Sequence, residues 1–326
     1  MRSIFTVCIL LILSNCLIAS KPIVVTSASI FHDMIKNIGG DLIESYSIVN
    51  IGGDPHTYEA TPKDAKLIAR ANLVLINGLT FEGWINEVIE NSGSKAKVIR
   101  ITEGIKVIES TEHKNAVDPH AWMDVSNGLI YISNIKQALI SIAPQHASTF
   151  EKNYKTYKAQ LEILNDYIVN KVSGIPENQR VLITSHDAFS YFGKKYGIEI
   201  QALMGVSTEA DAQTSDIERI RQIVASKKIP AIFVESTINP KLLQQIAQDL
   251  NISIGGSLYA DSIGEEGTEG NSYLGMLKHN IDIIAAGLSK KLDIKKEEKK
   301  TSWWMYTFLI VLMMMSWVVL YLKLKH

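Results

Sequence analysis

The sequence predicts an α/β protein of two similar βα lobes joined by one long backbone helix, with a transmembrane helix added at the C-terminus. Three observations predict it. Short β-branched runs alternate with helical patterns before and after residues 144–173, which argues layered βα units. Within that middle stretch Phe150, Tyr154, Tyr157, Leu161, Leu164, Ile168 and Val172 recur at helical spacing without a strand signal. Near the end, residues 303–322 form an uncharged apolar run of about 20 residues, the length that crosses a bilayer. The chain then divides into a leader (1–20), an N-terminal lobe (21–143), a linking helix (144–173), a C-terminal lobe (174–289), a charged tether (290–302) and an anchor (303–322).

The leader has Arg2, an apolar run from Ile4 to Leu13, and small and polar residues before Lys21 and Pro22, the layout of a secretory signal. Its cut falls after Ala19 or Ser20, or before Cys16 in the lipobox-like string Leu13-Ser14-Asn15-Cys16, where Asn15 replaces the usual small residue. Cys8 and Cys16 are the only cysteines, so the exported body holds no disulfide and depends on core burial. With 326 residues, 46% of them hydrophobic, it can build such a core. A net charge of -1 without a basic stripe gives no case for nucleic acid.

The first lobe opens with a strand at 23–26 and a helical pattern through Ile30, Met34 and Ile38 that stops at Gly39-Gly40. A strand at 46–51 feeds the Gly52-Gly53 loop, and Thr61-Pro62-Lys63-Asp64 starts a helix with a capping acceptor, a proline in its first turn and an acid three residues on. Strands at 72–76 and 97–101 flank a helix at 81–89. The linking helix spans about 45 Å at 1.5 Å per residue, and Gly174 and Pro176 end it. The second lobe has strands at 180–184, 231–234 and 252–254. Its helices start at Ser215-Asp216 and cover 241–250 and 272–288, and a glycine-rich loop with Gly264, Gly267 and Gly270 follows the last strand. Trp303, Trp304 and Tyr306 at one end of the anchor and Tyr321 at the other suit two membrane interfaces. Lys323, Lys325 and His326 then face the cytoplasm, while Lys295, Lys296, Lys299 and Lys300 lie outside; the leader sets this orientation.

The chemistry lies in three histidines. His56 follows Asp54-Pro55, His120 follows Asp118-Pro119, and His186 ends an apolar strand, each at a strand-to-helix or loop-to-helix junction with Tyr58, Trp122 or Phe189 close behind. Imidazoles fixed in such settings suit metal ligation, and three of them with one carboxylate hold a borderline divalent cation such as zinc, with manganese or iron also accepted. The carboxylate is Asp261, in the glycine-rich loop, in preference to Glu235 at the end of Ile232-Phe233-Val234-Glu235. Asp54, Asp118, Asp124 and Asp187 stand beside the ligands as imidazole-orienting carboxylates or helix caps. His32, His113, His146 and His279 fall in helical patterns or a polar loop and read as structural.

The stretches GGDPHTYEATPKD, DPHAWMDV, ITSHDAFSYFGKKYGI, GVSTEADAQTSDI, IFVESTINPK and GGSLYADSIGEEGTEGNSYLGMLKHNID together resemble the TroA-like zinc, manganese and iron solute-binding proteins of bacterial ABC importers. The resemblance covers residues 21–290 and implies two metal-binding lobes, a rigid bridging helix and a metal site between the lobes. It places the family's ligands on His56, His120, His186 and Asp261. It also implies that manganese-selective members carry glutamate where this chain has His186. Two departures are the missing histidine-rich loop of many zinc-specific members and the C-terminal membrane helix.

The expected protein is the extracytoplasmic binding component of an ABC importer. It binds one Zn2+, Mn2+ or Fe2+, passes it to a permease and its ATPase, acts as a monomer, and is anchored to the cytoplasmic membrane with its body on the periplasmic or extracellular face. It is not an enzyme in this reading. The alternatives are a zinc-dependent hydrolase, which needs an open coordination position and a general base, and a metal-stabilised adhesin.

Overall fold

The computed structural model describes residues 20–109, 117–209 and 212–289. In the first lobe β1 (Ile23–Thr26), α1 (Ser29–Gly39), β2 (Glu44–Ser47), α2 (Pro62–Ala69), β3 (Leu73–Ile76), α3 (Ile85–Asn91) and β4 (Lys97–Arg100) follow one another. Their strands form one parallel sheet in the order β2-β1-β3-β4. Then come α4 (Val125–Ile142) and the long α5 (Ala147–Ser173), entered through a 3-10 turn at Pro144–His146. The second lobe holds β5 (Val181–His186), α6 (Ser190–Tyr196), β6 (Glu199–Met204), α7 (Thr214–Lys227), β7 (Ala231–Glu235), α8 (Lys241–Asp249), β8 (Ser253–Leu258) and α9 (Tyr273–Leu288). Here β5 pairs with β6 and β7 with β8, both in parallel, and β5 runs beside β7.

All the strand pairs are parallel and therefore end on the same side of their sheets, where α/β proteins form crevices. The main apolar core is continuous between the strands of the two lobes. It joins Val24 and Leu73 of the first to Ala231, Phe233 and Leu258 of the second through α1, α4, α5 and α9. Phe150 on α5 is fully buried in it. Truncation to alanine in a packed core costs about 3–5 kcal/mol, so Phe150→Ala should lose that much in a urea unfolding titration of the metal-free chain.

Strand β6 is not expected from the sequence, and two strand boundaries differ most from expectation. The second strand is Glu44–Ser47, whose side chains alternate between exposed and half-buried; the apolar Ile48 and Val49 come after it, with their amides donating to Thr26 O and Ser27 O. The last strand extends through Gly255 and Gly256, because the Phe233 ring lies over Gly255 where a Cβ would come within 2.3 Å of it. Thr61 and Asp64 form the expected capping box, with Pro62 at the helix start. Among the described residues no helix is long and apolar enough to cross a membrane. The leader through residue 19, His113, the tether and the anchor at 303–322 lie outside the described residues.

Candidate metal centre

Each candidate ligand sits where its backbone is fixed. His56 lies on the loop between β2 and α2; Asp54 Oδ1 accepts from His56 N at 2.9 Å, and Trp84 Nε1 donates to Pro55 O at 2.9 Å. His120 precedes a 3-10 turn, and Asp118 Oδ1 is 2.8 Å from both its main-chain N and its Nδ1. Two residues on, Trp122 Nε1 donates to Ala260 O at 3.0 Å, tying this segment to the residue before Asp261. His186 is the last residue of β5. Glu235, ending β7, accepts from Ser185 N and His186 N with Oε1 at 2.8 and 2.9 Å, and its Oε2 stands 2.5 Å from His186 Nδ1. Asp261 follows β8 beside Ser262, whose Oγ accepts from Gly52 N at 2.8 Å and meets Ser29 Oγ at 3.0 Å.

These placements bring one donor atom from each of His56, His120, His186 and Asp261 within 4.8 Å of one another. His56 Nε2 and His120 Nε2 are 3.2 Å apart, and Asp261 Oδ1 is 3.3 Å from His120 Nε2 and 4.0 Å from His56 Nε2. Asp261 Oδ2 is 3.2 Å from His186 Nε2. Donors at about 2.05 Å from one tetrahedral cation would be separated by about 3.3 Å, so the cluster has the right dimensions. Exposure is 8% for His56, 1% for Asp261 and 0% for the other two. His186 Nε2 and both Asp261 oxygens are buried without a hydrogen-bond partner, although other donors stand close by. Buried donor atoms at this mutual spacing fit a bound cation.

Burial disfavours charge on all four groups; it prevails at His56, while charged neighbours prevail at the other three. Burial pushes His56 down to about 4, with Asp261 opposing and His120 and His186 reinforcing the shift. For His120 burial is outweighed by Asp118 and Asp261, and its pKa rises to about 9. His186 is likewise raised well above the ordinary imidazole range by Glu235 and Asp261 against the effect of burial. Asp261 is held well below the carboxylate range by His186 and His120, again against burial. Without metal the centre is therefore a carboxylate between two imidazolium rings, beside a neutral His56.

All four residues read from the sequence as ligands come together here. Glu235, the rival carboxylate, faces the outer nitrogen of His186 instead. Asp118 does the same for His120, whereas Asp124 caps α4 through Ser126 N and Asp187 bonds Ser190 Oγ. His32 and His279 make hydrogen bonds to Ser45 and Ser257 away from the centre. Sequence reasoning missed Phe81, whose ring meets that of His56 edge-on at 5.0 Å, and the tie from Trp122 to Ala260; neither has a spacing signal. Losing a carboxylate that orients a ligand imidazole lowers metal affinity about 10–100-fold. Glu235→Gln should fall in that range in a competitive chelator titration.

A two-lobed α/β fold with a buried cluster of three imidazoles and a carboxylate defines a metal-ion solute-binding protein. The chain belongs to the ZnuA family, described as zinc-uptake complex component A, periplasmic, which it matches over residues 24–287. It is 38% identical over 275 residues to the manganese ABC transporter substrate-binding lipoprotein PsaA of Streptococcus anginosus, covering 82% of this chain and 89% of that one. It is 35% identical over 280 residues to the metal ABC transporter substrate-binding lipoprotein SsaB of Streptococcus sanguinis, covering 83% and 91%. Among solved structures it is similar to the periplasmic zinc-binding protein TroA of Treponema pallidum, with TM-score 0.79, 34% identity and coverage of 83% and 100%. It is also similar to a cadmium-bound periplasmic metal-binding protein of Candidatus Liberibacter asiaticus, with TM-score 0.75, 30% identity and coverage of 82% and 100%. The chain is the substrate-binding component of a metal ABC transporter, and a binding protein rather than an enzyme.

Proposed function

We propose that this chain captures one Zn2+ or Mn2+, with Fe2+ as a further cargo, on His56, His120, His186 and Asp261 and hands it to the importer's permease. The observation that carries this reading is the convergence of one buried donor atom from each of these four residues to within 4.8 Å of one another. Asp118 and Glu235 each hold the outer nitrogen of an imidazole, so that on loss of the Nε2 proton a lone pair faces the cargo. Relatives named for manganese and for zinc are compatible with either cation, and three imidazoles with one carboxylate suit zinc well. Equilibrium dialysis of the purified chain at neutral pH should find one Zn2+ or Mn2+ per chain; no stoichiometric uptake of either would refute the proposal.

The body is exported and held at the outer face of the cytoplasmic membrane. Residues 21–143 and 174–289 act as the two metal-binding lobes and 144–173 as their link. The apolar, uncharged composition of 303–322, with aromatic residues at both ends, supports a C-terminal anchor behind the tether at 290–302. The relatives named as lipoproteins favour a second reading, an N-terminal lipid on Cys16. Membrane release of a chain truncated after Lys290 separates the two.

A further inference from the structure

Next to the donor cluster is a cavity of about 410 Å3 that metal capture leaves unused. Asp54 and Thr57, which flank His56 in sequence, line one side. Ser185, Thr237, Asn239 and Lys241 of the second lobe line the other. Ser185 is 4% exposed, and its Oγ is buried without a hydrogen-bond partner; the Oγ1 of Thr237 is in the same position. A buried hydroxyl left this way costs free energy unless something meets it.

The cavity's lining holds one cation, Lys241, and one carboxylate, Asp54, and a helix end tips the balance towards an anion. Lys241 begins α8 directly after Pro240, so the positive end of a nine-residue helix opens here, and the amides of Leu242 and Leu243, which also line the cavity, have no acceptor within the helix. Asn239 Oδ1 takes the Lys241 amide at 3.1 Å, while the Lys241 ammonium makes no ion pair among the described residues. Asp54 is the opposing charge, and both its oxygens are engaged. Oδ1 accepts from His56 N at 2.9 Å, and Oδ2 accepts from Thr208 Oγ1 at 2.6 Å.

We propose that this cavity is an oxyanion subsite, taking a small carboxylate or a phosphate-type anion on Lys241, the first-turn amides of α8 and the hydroxyls of Ser185 and Thr237. The anion would also lie against Thr57 of the loop that carries His56, and so bridge that loop and the second lobe beside the contact that Asp54 already makes with Thr208. Anion and metal then strengthen each other's binding by the same factor. This coupling rests on the metal-capture reading; the anion subsite itself does not.

The test is equilibrium dialysis of labelled acetate and labelled inorganic phosphate against the metal-free full chain at constant ionic strength, for the wild type, Lys241→Gln and Thr237→Val. Saturable uptake of one anion is expected, the preferred one separating a carboxylate from a phosphate source. Each substitution should weaken it about tenfold, the effect of one hydrogen bond to a charged group. Absence of saturable uptake, or uptake unchanged in both variants, overturns the subsite. The metal affinity of the wild type is then measured with and without the bound anion, using acetate if both bind. A tighter metal dissociation constant supports the coupling and an unchanged one overturns it. A chain that takes up the anion but no metal would count against the metal-capture reading alone.

Discussion

Replacing His120 with alanine should lower the affinity for Zn2+ by more than about a hundredfold, because the roughly 10–16 kcal/mol of a four-ligand zinc site is about 3 kcal/mol per ligand. His120 is fully buried, it stands 3.2 Å from His56 Nε2 and 3.3 Å from Asp261 Oδ1, and Asp118 fixes its ring. Among the described residues the cluster's other three donors are ligand candidates themselves, so none of them is held in reserve to replace it. The loss is read as the dissociation constant from competition with a chelator of known affinity. His120→Gln, closer in volume, serves as the folding control. A loss of less than tenfold in both variants would remove His120 from the ligand set.

Metal affinity should also fall about a hundredfold for each pH unit between pH 7 and pH 6, a slope of two protons per cation. His120, with its pKa raised to about 9, and His186, raised well above the ordinary range, both carry a proton at neutral pH in the metal-free protein. A cation needs the Nε2 lone pair of each, so both protons must leave. His56, lowered to about 4, is already neutral and adds nothing to the slope in this range. Calorimetric titrations in buffers of different ionisation enthalpy should count the same two protons directly. A slope of one or less would mean that only one of the two rings is protonated before loading.

The same shifts set the pH stability of the metal-free chain. The raised pKa values of His120 and His186 contribute stability that is complete below the ordinary imidazole value. For His120 it is lost as pH rises towards about 9. The depressed Asp261 contributes stability present above the ordinary carboxylate value and lost as pH falls below it. Metal should therefore raise the melting temperature more on the alkaline side than on the acid side.

The parts of the molecule legible in the sequence are those where one residue type at one spacing has a single physical solution. The apolar residues of α5 at steps of three and four admit only a helix, and histidines after Asp-Pro or at a strand end had to be fixed side chains. The strand Glu-Ser-Tyr-Ser was not legible, because it lies at the sheet edge with half its side chains exposed, and the apolar residues after it drew the assignment forward. Helix α4 went unread, since its β-branched and small residues blur a helical face that only packing against α1 and α5 makes plain. Spacing could not decide between Glu235 and Asp261 either. What separates them is that one oxygen of Glu235 is occupied by the amides of β5, a contact between strands distant in sequence.

The apolar packing that runs unbroken through both lobes limits how this carrier can be mechanically compliant. Jaws swinging on a hinge would have to part that packing and wet it, at a cost that grows with every buried side chain exposed. Deformation that leaves this packing whole falls on the connections that bear His56 and Asp261, tied down by single contacts such as Trp84 to Pro55 and Trp122 to Ala260, so unloading is expected to bend a pair of loops mounted on a stiff strut.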